Sequence, residues 1–278
     1  MLVSAKSSYI KDKVEKWHKE NIKVALVPTM GAIHSGHISL IKKAKKIANK
    51  IIVTIFVNPT QFSGNEDFNK YPRTRKKDLL RLRQEKVSLV FIPKTNEIYS
   101  KLKIKKYPIQ PLSRDLCGKY RPHHFPGVCD VVVKLTRICQ PDVIIFGEKD
   151  YQQFIIIKNL FKKLKMTNEV ISSKTIRDEG GLALSSRNKY FSETQQIIAR
   201  KLFKNLKEAA KKISHGESIK KTIDQTSKNL IKVGFKEIEY FELRKQSNLK
   251  PTTKIKDSIL VIAIKVWGVR LIDNIKIN

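Results

Sequence analysis

Acidic residues are scarce in this chain of 278 residues. The 25 Asp and Glu stand against 57 Lys and Arg, a formal net charge of +32. An excess of that size usually points to nucleic acid or a membrane surface. The pattern here lacks what such a role calls for, because lysine far outnumbers arginine and the lysines run the whole length. A dedicated nucleic-acid face concentrates arginine and aromatic rings. The charge therefore reads as drift of surface positions that also attracts anions, and no specific nucleic-acid partner is expected. Cysteine is nearly absent: Cys117, Cys129 and Cys139 are odd in number, and their spacings match no zinc-ligand pattern. They are expected to be reduced, two of them on one helix. No apolar run approaches the ~20 residues that a membrane-spanning helix needs. The first twenty residues lack an apolar h-region and read as an amphipathic helix, so a cytoplasmic protein with no membrane partner is the expectation. No internal repeat is present.

What the chain does have is one stretch that organises the rest, VALVPTMGAIHSGHISLIKKAK at 24–45. Val24-Ala25-Leu26-Val27 reads as a short strand ending at Pro28, which lacks the N–H of an interior strand position. A turn holding Gly31 and Gly36 follows, then Ile38, Leu40, Ile41 and Ala44 at helical spacing. Such a turn favours an anion, because a helix N-terminus offers unpaired N–H groups and partial positive charge. The glycines permit close approach. His34 and His37, three residues apart, can project to one side and donate to phosphate oxygens.

Further strands are expected at 51–57, 88–92, 142–146 and 168–172, and helices at 8–20, 35–48, 73–86, 127–140 and 151–165. Residues 93–126 show no clear periodicity. Alternating strands and helices predict a parallel, doubly wound, Rossmann-like sheet, whose ligands bind beyond the carboxyl ends of the strands. Three polar segments fall at those ends: Met30–His37, Asn58–Gln61 and Gly147–Gln153. They point to one shared site. The long irregular segment after Asn58 is a candidate lid over residues 60–70. After residue 173 the pattern changes to helices at 192–214 and 217–233 and strands at 236–242, 258–266 and 269–276. Two domains are expected: a nucleotide-binding domain at 1–174 and a small α+β domain at 175–278.

Chemistry-bearing groups recur outside the histidine turn. Gly147-Glu148-Lys149-Asp150 puts a cation at a strand end, able to neutralise phosphate charge during displacement or simply to form local ion pairs in a solvated turn. Leu184-Ser185-Ser186-Arg187 groups two hydroxyls with a guanidinium, a phosphate grip or a cap. Gln61 and Gln153 carry amides able to bond a hydroxyl and a carboxylate together.

The H-x-G-H turn resembles the nucleotide-binding motif of the HIGH nucleotidyltransferase superfamily. Taken in order, LVPTMGAIHSGH, IFVNPTQF, YPRT, HFPGV, FGEKDYQQ, GLALSSRN and RLIDN resemble the pantothenate synthetase (pantoate–β-alanine ligase) family over the whole chain. The resemblance implies a two-step ligase using ATP and Mg²⁺. Pantoate's carboxylate attacks the α-phosphorus of ATP to give pantoyl adenylate and pyrophosphate. The amine of β-alanine then displaces AMP to give pantothenate. Carried over by position, Met30, Gly31, Ala32, Ile33, His34, Ser35, Gly36 and His37 match the ATP-binding segment. So do Gly147, Glu148, Lys149, Asp150, Ile176, Leu184, Ser185, Ser186 and Arg187. His34, His37, Lys149, Ser185, Ser186 and Arg187 are implied as the catalytic set. The resemblance places His37 at the family's proton-donor position, but a carboxylate nucleophile has no proton to lose, so charge stabilisation is the role expected here. Gln61, Gln153 and Asn58 are implied to hold pantoate and β-alanine, and Asp78 matches an acidic position associated with Mg²⁺. A homodimer is also implied. His123, Pro126 and Lys77 depart from the family's pattern. An adenylyltransferase of the same superfamily and a non-enzymatic RNA-binding protein are the competing readings.

Overall fold

The structure, a computed structural model, describes residues 1–64, 66–99 and 103–277. Asn65, inside the expected lid segment, lies outside the described residues. The chain runs β1 Leu2–Ser4, α1 Ser7–Lys19, β2 Val24–Thr29, α2 Ser35–Lys45, β3 Lys50–Ile55, α3 Arg75–Gln84, β4 Leu89–Phe91, α4 Thr95–Ile98, α5 Cys117–Tyr120, α6 His124–Cys139 and β5 Val143–Gly147. It continues with α7 Tyr151–Lys163, β6 Glu169–Ser173, α8 Glu193–Ser214, α9 Ile219–Lys232, β7 Glu237–Lys245, β8 Ser258–Val266 and β9 Val269–Ile277. Contacts divide it into two units. The first is Met1–Glu148 with Ile156–Lys174, and the second is Lys149–Ile155 with Thr175–Asn278.

The first unit holds a six-stranded sheet in the order β1-β4-β3-β2-β5-β6, parallel throughout. Strands buried on both faces read as continuous apolar runs, and β3 is such a run. Ala25, Val27, Ile51, Val53, Val90, Val143 and Ile145 cover one face, packed against Leu40, Ile41 and Ala44 of α2 and Leu82 of α3. Leu26, Ile52, Leu89 and Ile144 alternate with these residues and are equally buried. The order reverses at β2, whose neighbours β3 and β5 lead their chains in opposite directions across the sheet. Ligand crevices form at such a point, beyond the carboxyl ends of the strands. The second unit is built on an antiparallel sheet, β7-β8-β9. Leu202, Leu206, Ala209 and Ile213 of α8 share a core with Leu260, Ile262 and Ile264 of β8.

Three local differences from the sequence reading have physical causes. The N-terminal segment begins with an edge strand, β1, paired with β4 before the first helix. β2 does not stop at Val27 but continues through Pro28, which pairs with Thr54. Its ring is tolerated because the groups of residues 26 and 28 face β5, and pairing with β5 ends at Leu26. Helix α6 starts at His124, three residues before the expected Gly127, and Pro126 lies in its first turn, where a missing N–H costs nothing.

Candidate active site

In the first unit, the turn after β2 is built from the backbone outward. Gly31 adopts φ +81° and Ala32 φ +50°. A Cβ at Gly31 would sit 3.0 Å from Ile55 Cγ2 and 3.2 Å from Asp78 Oδ2, so both the left-handed conformation and the tight surroundings favour glycine. The left-handed Ala32 costs about 1–2 kcal/mol. Its surroundings hold it there. Thr29 Oγ1 donates to Thr54 O at 2.6 Å and accepts Gly31 N at 3.1 Å. Asp78, only 2% exposed, accepts Ala32 N at 3.0 Å and Ile33 N at 2.8 Å. Thr74 Oγ1 donates to the same carboxylate at 3.0 Å, and the Arg81 guanidinium donates to Ile33 O. Asp78, Thr74 and Arg81 thus fasten the turn from α3.

The turn delivers His34 and His37 to the start of α2. His34 Nδ1 accepts Gly36 N at 3.1 Å, and His37 Nδ1 accepts His34 N at 3.2 Å, a reciprocal cap. A ring nitrogen that accepts an N–H carries no proton, so both rings hold theirs on Nε2. The ring centroids are 4.0 Å apart. The sequence reading anticipated paired donors; it did not anticipate that the same rings cap the helix.

The Asn58–Gln61 segment forms a 3₁₀ turn after β3, with Asn58 and Gln61 buried. Asn58 Nδ2 donates to Gln61 Oε1 at 3.1 Å and to Gly127 O at 3.2 Å. Its Oδ1 accepts Tyr99 OH at 2.8 Å and Thr60 Oγ1 at 3.0 Å. Gln61 Nε2 lies 3.1 Å from Met30 Sδ, so this segment meets the histidine turn directly. A Cβ at Gly127 would fall 2.3 Å from Thr60 O, so α6 lies against the backbone that carries Gln61. Burial pushes the Tyr99 phenol up to about 12, which keeps it a donor. Tyr99, Thr74 and Arg81 were not singled out from sequence. Only the Y-P-R-T spacing to Asp78, i to i+4 on one helix face, offered a signal for Thr74.

The Asp78 carboxylate differs from the metal contact that resemblance implied. Its oxygens are taken by two backbone N–H groups and a hydroxyl, donors that an Mg²⁺ ligand would have to give up. Among the described residues, no group of three or more His, Cys, Asp or Glu is placed to hold a metal ion. A protein-held Mg²⁺ at Asp78 does not fit these contacts. Gly147 closes β5, and Glu148 Oε1 accepts Ser172 Oγ at 2.9 Å.

In the second unit, Lys149 Nζ lies 3.5 Å from Asp150 Oδ1, and Lys149 O accepts Asn274 Nδ2 at 3.2 Å. Gln153 is half-buried on α7, beside the buried Gln152. Leu184 N donates to Ile176 O at 2.9 Å, bringing those two expected contacts together. Ser185 caps a short 3₁₀ helix by accepting Arg187 N at 3.3 Å, and Ser186 is buried. Ser192 separately caps α8, its hydroxyl accepting Gln195 N at 3.3 Å. Arg177 and Asp273, a bidentate pair at 2.6 and 2.8 Å, were not predicted as site residues.

A doubly wound parallel sheet that ends a strand in a helix-capping His pair, with buried amides against the same turn, defines a nucleotide-binding α/β enzyme. The family model for pantoate-beta-alanine ligase matches residues 3–276, and the chain belongs to that family. It is accordingly a ligase of pantothenate biosynthesis. The pantothenate synthetase of Shewanella sediminis is 41% identical over 278 residues, 99% of each chain. Among solved structures, the pantothenate synthetase of Thermus thermophilus aligns with a TM-score of 0.93 at 31% identity, over 100% of this chain and 99% of that one. The Francisella tularensis pantoate-beta-alanine ligase, complexed with beta-gamma ATP and beta-alanine, aligns with a TM-score of 0.84 at 33% identity, over 99% and 97%.

Proposed function

We propose that this enzyme condenses pantoate with β-alanine through a pantoyl-adenylate intermediate. A carboxylate is a poor acyl donor. Attack of pantoate's carboxylate on the α-phosphorus of ATP expels pyrophosphate and leaves an acyl phosphate anhydride with a good leaving group. The amine of β-alanine then attacks the acyl carbon, and the bond to AMP breaks to give pantothenate.

The observation that carries this reading is the pair of Nε2–H donors fixed at the start of α2. Charge develops on the phosphate oxygens as the P–O bond breaks, and donors already oriented there need no reorganisation. In this reading Met30 to His37 line the nucleotide, Asn58 and Gln61 hold pantoate, and Gln153 supplies a second amide to it. Gly147, Glu148, Lys149, Asp150, Ile176, Leu184, Ser185, Ser186 and Arg187 complete the ATP contacts. Mg²⁺ enters on the ATP phosphates, as is usual for an ion that dehydrates reluctantly. We assign nucleotide binding to a domain at 1–174 and place the Ser-Ser-Arg group in a smaller domain at 175–278. The active form is a cytoplasmic homodimer, a point that light scattering checks.

Pyrophosphate and AMP release from Mg·ATP tests the mechanism. Pyrophosphate with pantoate alone, then AMP only after β-alanine is added, is the expected result. ATP binding without release under either condition would refute it and favour an adenylyltransferase acting on a phosphate nucleophile.

A further inference from the structure

The C-terminal R-L-I-D-N segment has no assigned role in the site so far, yet its last two residues contact Lys149 directly and hold Arg177, which lies in the hairpin leading to Ser185. Asp273 and Asn274 are adjacent on β9, exposed by 3% and 9%. Asn274 Nδ2 donates to Lys149 O at 3.2 Å. Asp273 takes Arg177 in a bidentate pair, Nη1 to Oδ2 at 2.6 Å and Nη2 to Oδ1 at 2.8 Å. Arg177 Nη2 also reaches Asn274 O at 3.3 Å, and Asp273 Oδ1 accepts Asn274 N at 2.8 Å. The four-way arrangement is closed within two residues of one strand.

Arg177 in turn shapes the segment that leads to Ser185. It forms an antiparallel bridge with Ala183, and its Nη1 donates to Gly181 O at 3.1 Å. Its guanidinium lies 3.4 Å from the Phe203 ring centroid. Asp178 Oδ1 accepts Leu182 N at 2.8 Å, and Ile176 O accepts Leu184 N at 2.9 Å. The result is a tight hairpin whose second arm runs straight into Leu184-Ser185-Ser186-Arg187. A shift of the Asp273–Arg177 pair moves that arm, and a shift of Asn274 moves the backbone of Lys149.

We infer that Asp273 and Asn274 are positioning residues for ATP, setting Lys149 through its carbonyl and Ser185 to Arg187 through Arg177. The inference rests on the proposal that those residues hold the phosphates. A misplacement of about 1 Å at such groups can cost on the order of 10²-fold in rate. The bidentate geometry also explains a planar guanidinium at 177, since a lysine there could make neither the fork nor the stack on Phe203.

The test is calorimetric binding of a non-hydrolysable ATP analogue and of pantoate to Asn274→Asp, Asn274→Ala, Asp273→Asn and Asp273→Glu, with unfolding midpoints recorded. Asn274→Asp keeps the size and sets an acceptor against Lys149 O. The expected result is an analogue Kd raised about tenfold or more with pantoate Kd within about twofold. Asp273→Glu, which keeps a bidentate acid, should recover part of the loss seen in Asp273→Asn. Unchanged analogue affinity in any folded Asn274 variant would overturn the inference, as would equal losses for both ligands. If the Asn274 variants fail to fold, the Asp273 pair decides in the same way. Because binding is read directly, a wild type that binds the analogue but releases no pyrophosphate on pantoate indicts the ligase mechanism, not the positioning role.

Discussion

His37 accepts the backbone N–H of His34 through Nδ1, and in doing so fixes its own proton on the opposite nitrogen. His34 does the same toward Gly36. Each ring is therefore a helix cap on one edge and a neutral donor on the other. An asparagine at either position keeps an acceptor where Nδ1 sits and loses the Nε2–H. His34→Asn and His37→Asn should unfold within a few degrees of wild type, while kcat for pyrophosphate release falls about 10²–10³-fold, the usual cost of one oriented donor. Paired melting and rate measurements check this.

Asp78 offers a different test, because its carboxylate faces two backbone N–H groups of a left-handed turn. In Asp78→Asn one of those N–H groups meets an amide N–H₂ or an empty site. A buried donor left unpaired costs about 1–3 kcal/mol, and the turn should relax with it. Denaturant unfolding should report the loss, with ATP affinity reduced in step. Excess Mg²⁺ should not restore that affinity; restoration by Mg²⁺ would return the residue to metal binding.

Tyr99 donates its phenol to Asn58 Oδ1, and its burial keeps the proton in place well above neutral pH. Tyr99→Phe keeps the ring and removes the donor, leaving Thr60 as a partner of that oxygen. A loss of about 1 kcal/mol is expected. The KM for pantoate should rise more than the KM for ATP, and steady-state kinetics with each substrate varied in turn separates the two.

Acid should weaken one link at the start of α1. Ser7 donates both its hydroxyl and its backbone N–H to Glu97, and these bonds hold the Glu97 carboxyl below its usual value. A carboxyl depressed in the folded state stabilises fully above its unfolded pKa, and that contribution fades as pH falls through the folded value. The stability difference between wild type and Ser7→Ala should be flat from about pH 6 to 8, ordinary assay conditions, and shrink below about pH 4. Urea unfolding across that range measures it.

None of the three cysteines is in a disulfide, and all three are buried. Burial pushes the Cys129 thiol up to about 12 and raises that of Cys139 as well. Neither forms the reactive thiolate near neutrality. A thiol-specific chromophore at about pH 8, still below the ordinary thiol value, should leave Cys129 and Cys139 untouched in the folded enzyme and label all three cysteines in denaturant.

What the sequence made legible was local. The continuous β-branched run of β3, the glycines of the His34–His37 turn and the apolar face of α8 each act over a few residues, and periodicity exposes them. β1 escaped because three residues show no alternation and its pairing with β4 is remote. The helix expected from Gly127 begins at His124, because a proline in a helix's first turn gives up no intrahelical bond. The deeper misses are pairings across the chain. Asp78 reaches back 45 residues to Ile33, and Arg177 reaches forward 96 to Asp273. A carboxylate read alone looks the same whether it holds a cation or a turn; only its donors tell the two apart.

Gly127 gives the Asn58–Gln61 turn a genetic signature. The space beside Thr60 and Gln61 has no room for even one methyl group. Any replacement codon at 127 must push Gln61 out of register or push α6 away. Saturation of this position under selection for growth without pantothenate should return glycine alone, whereas neighbouring solvent-facing codons drift. The seat of that turn is thus heritable through a side chain that is absent, and reshaping it requires rebuilding the helix contact, not swapping one residue of the turn.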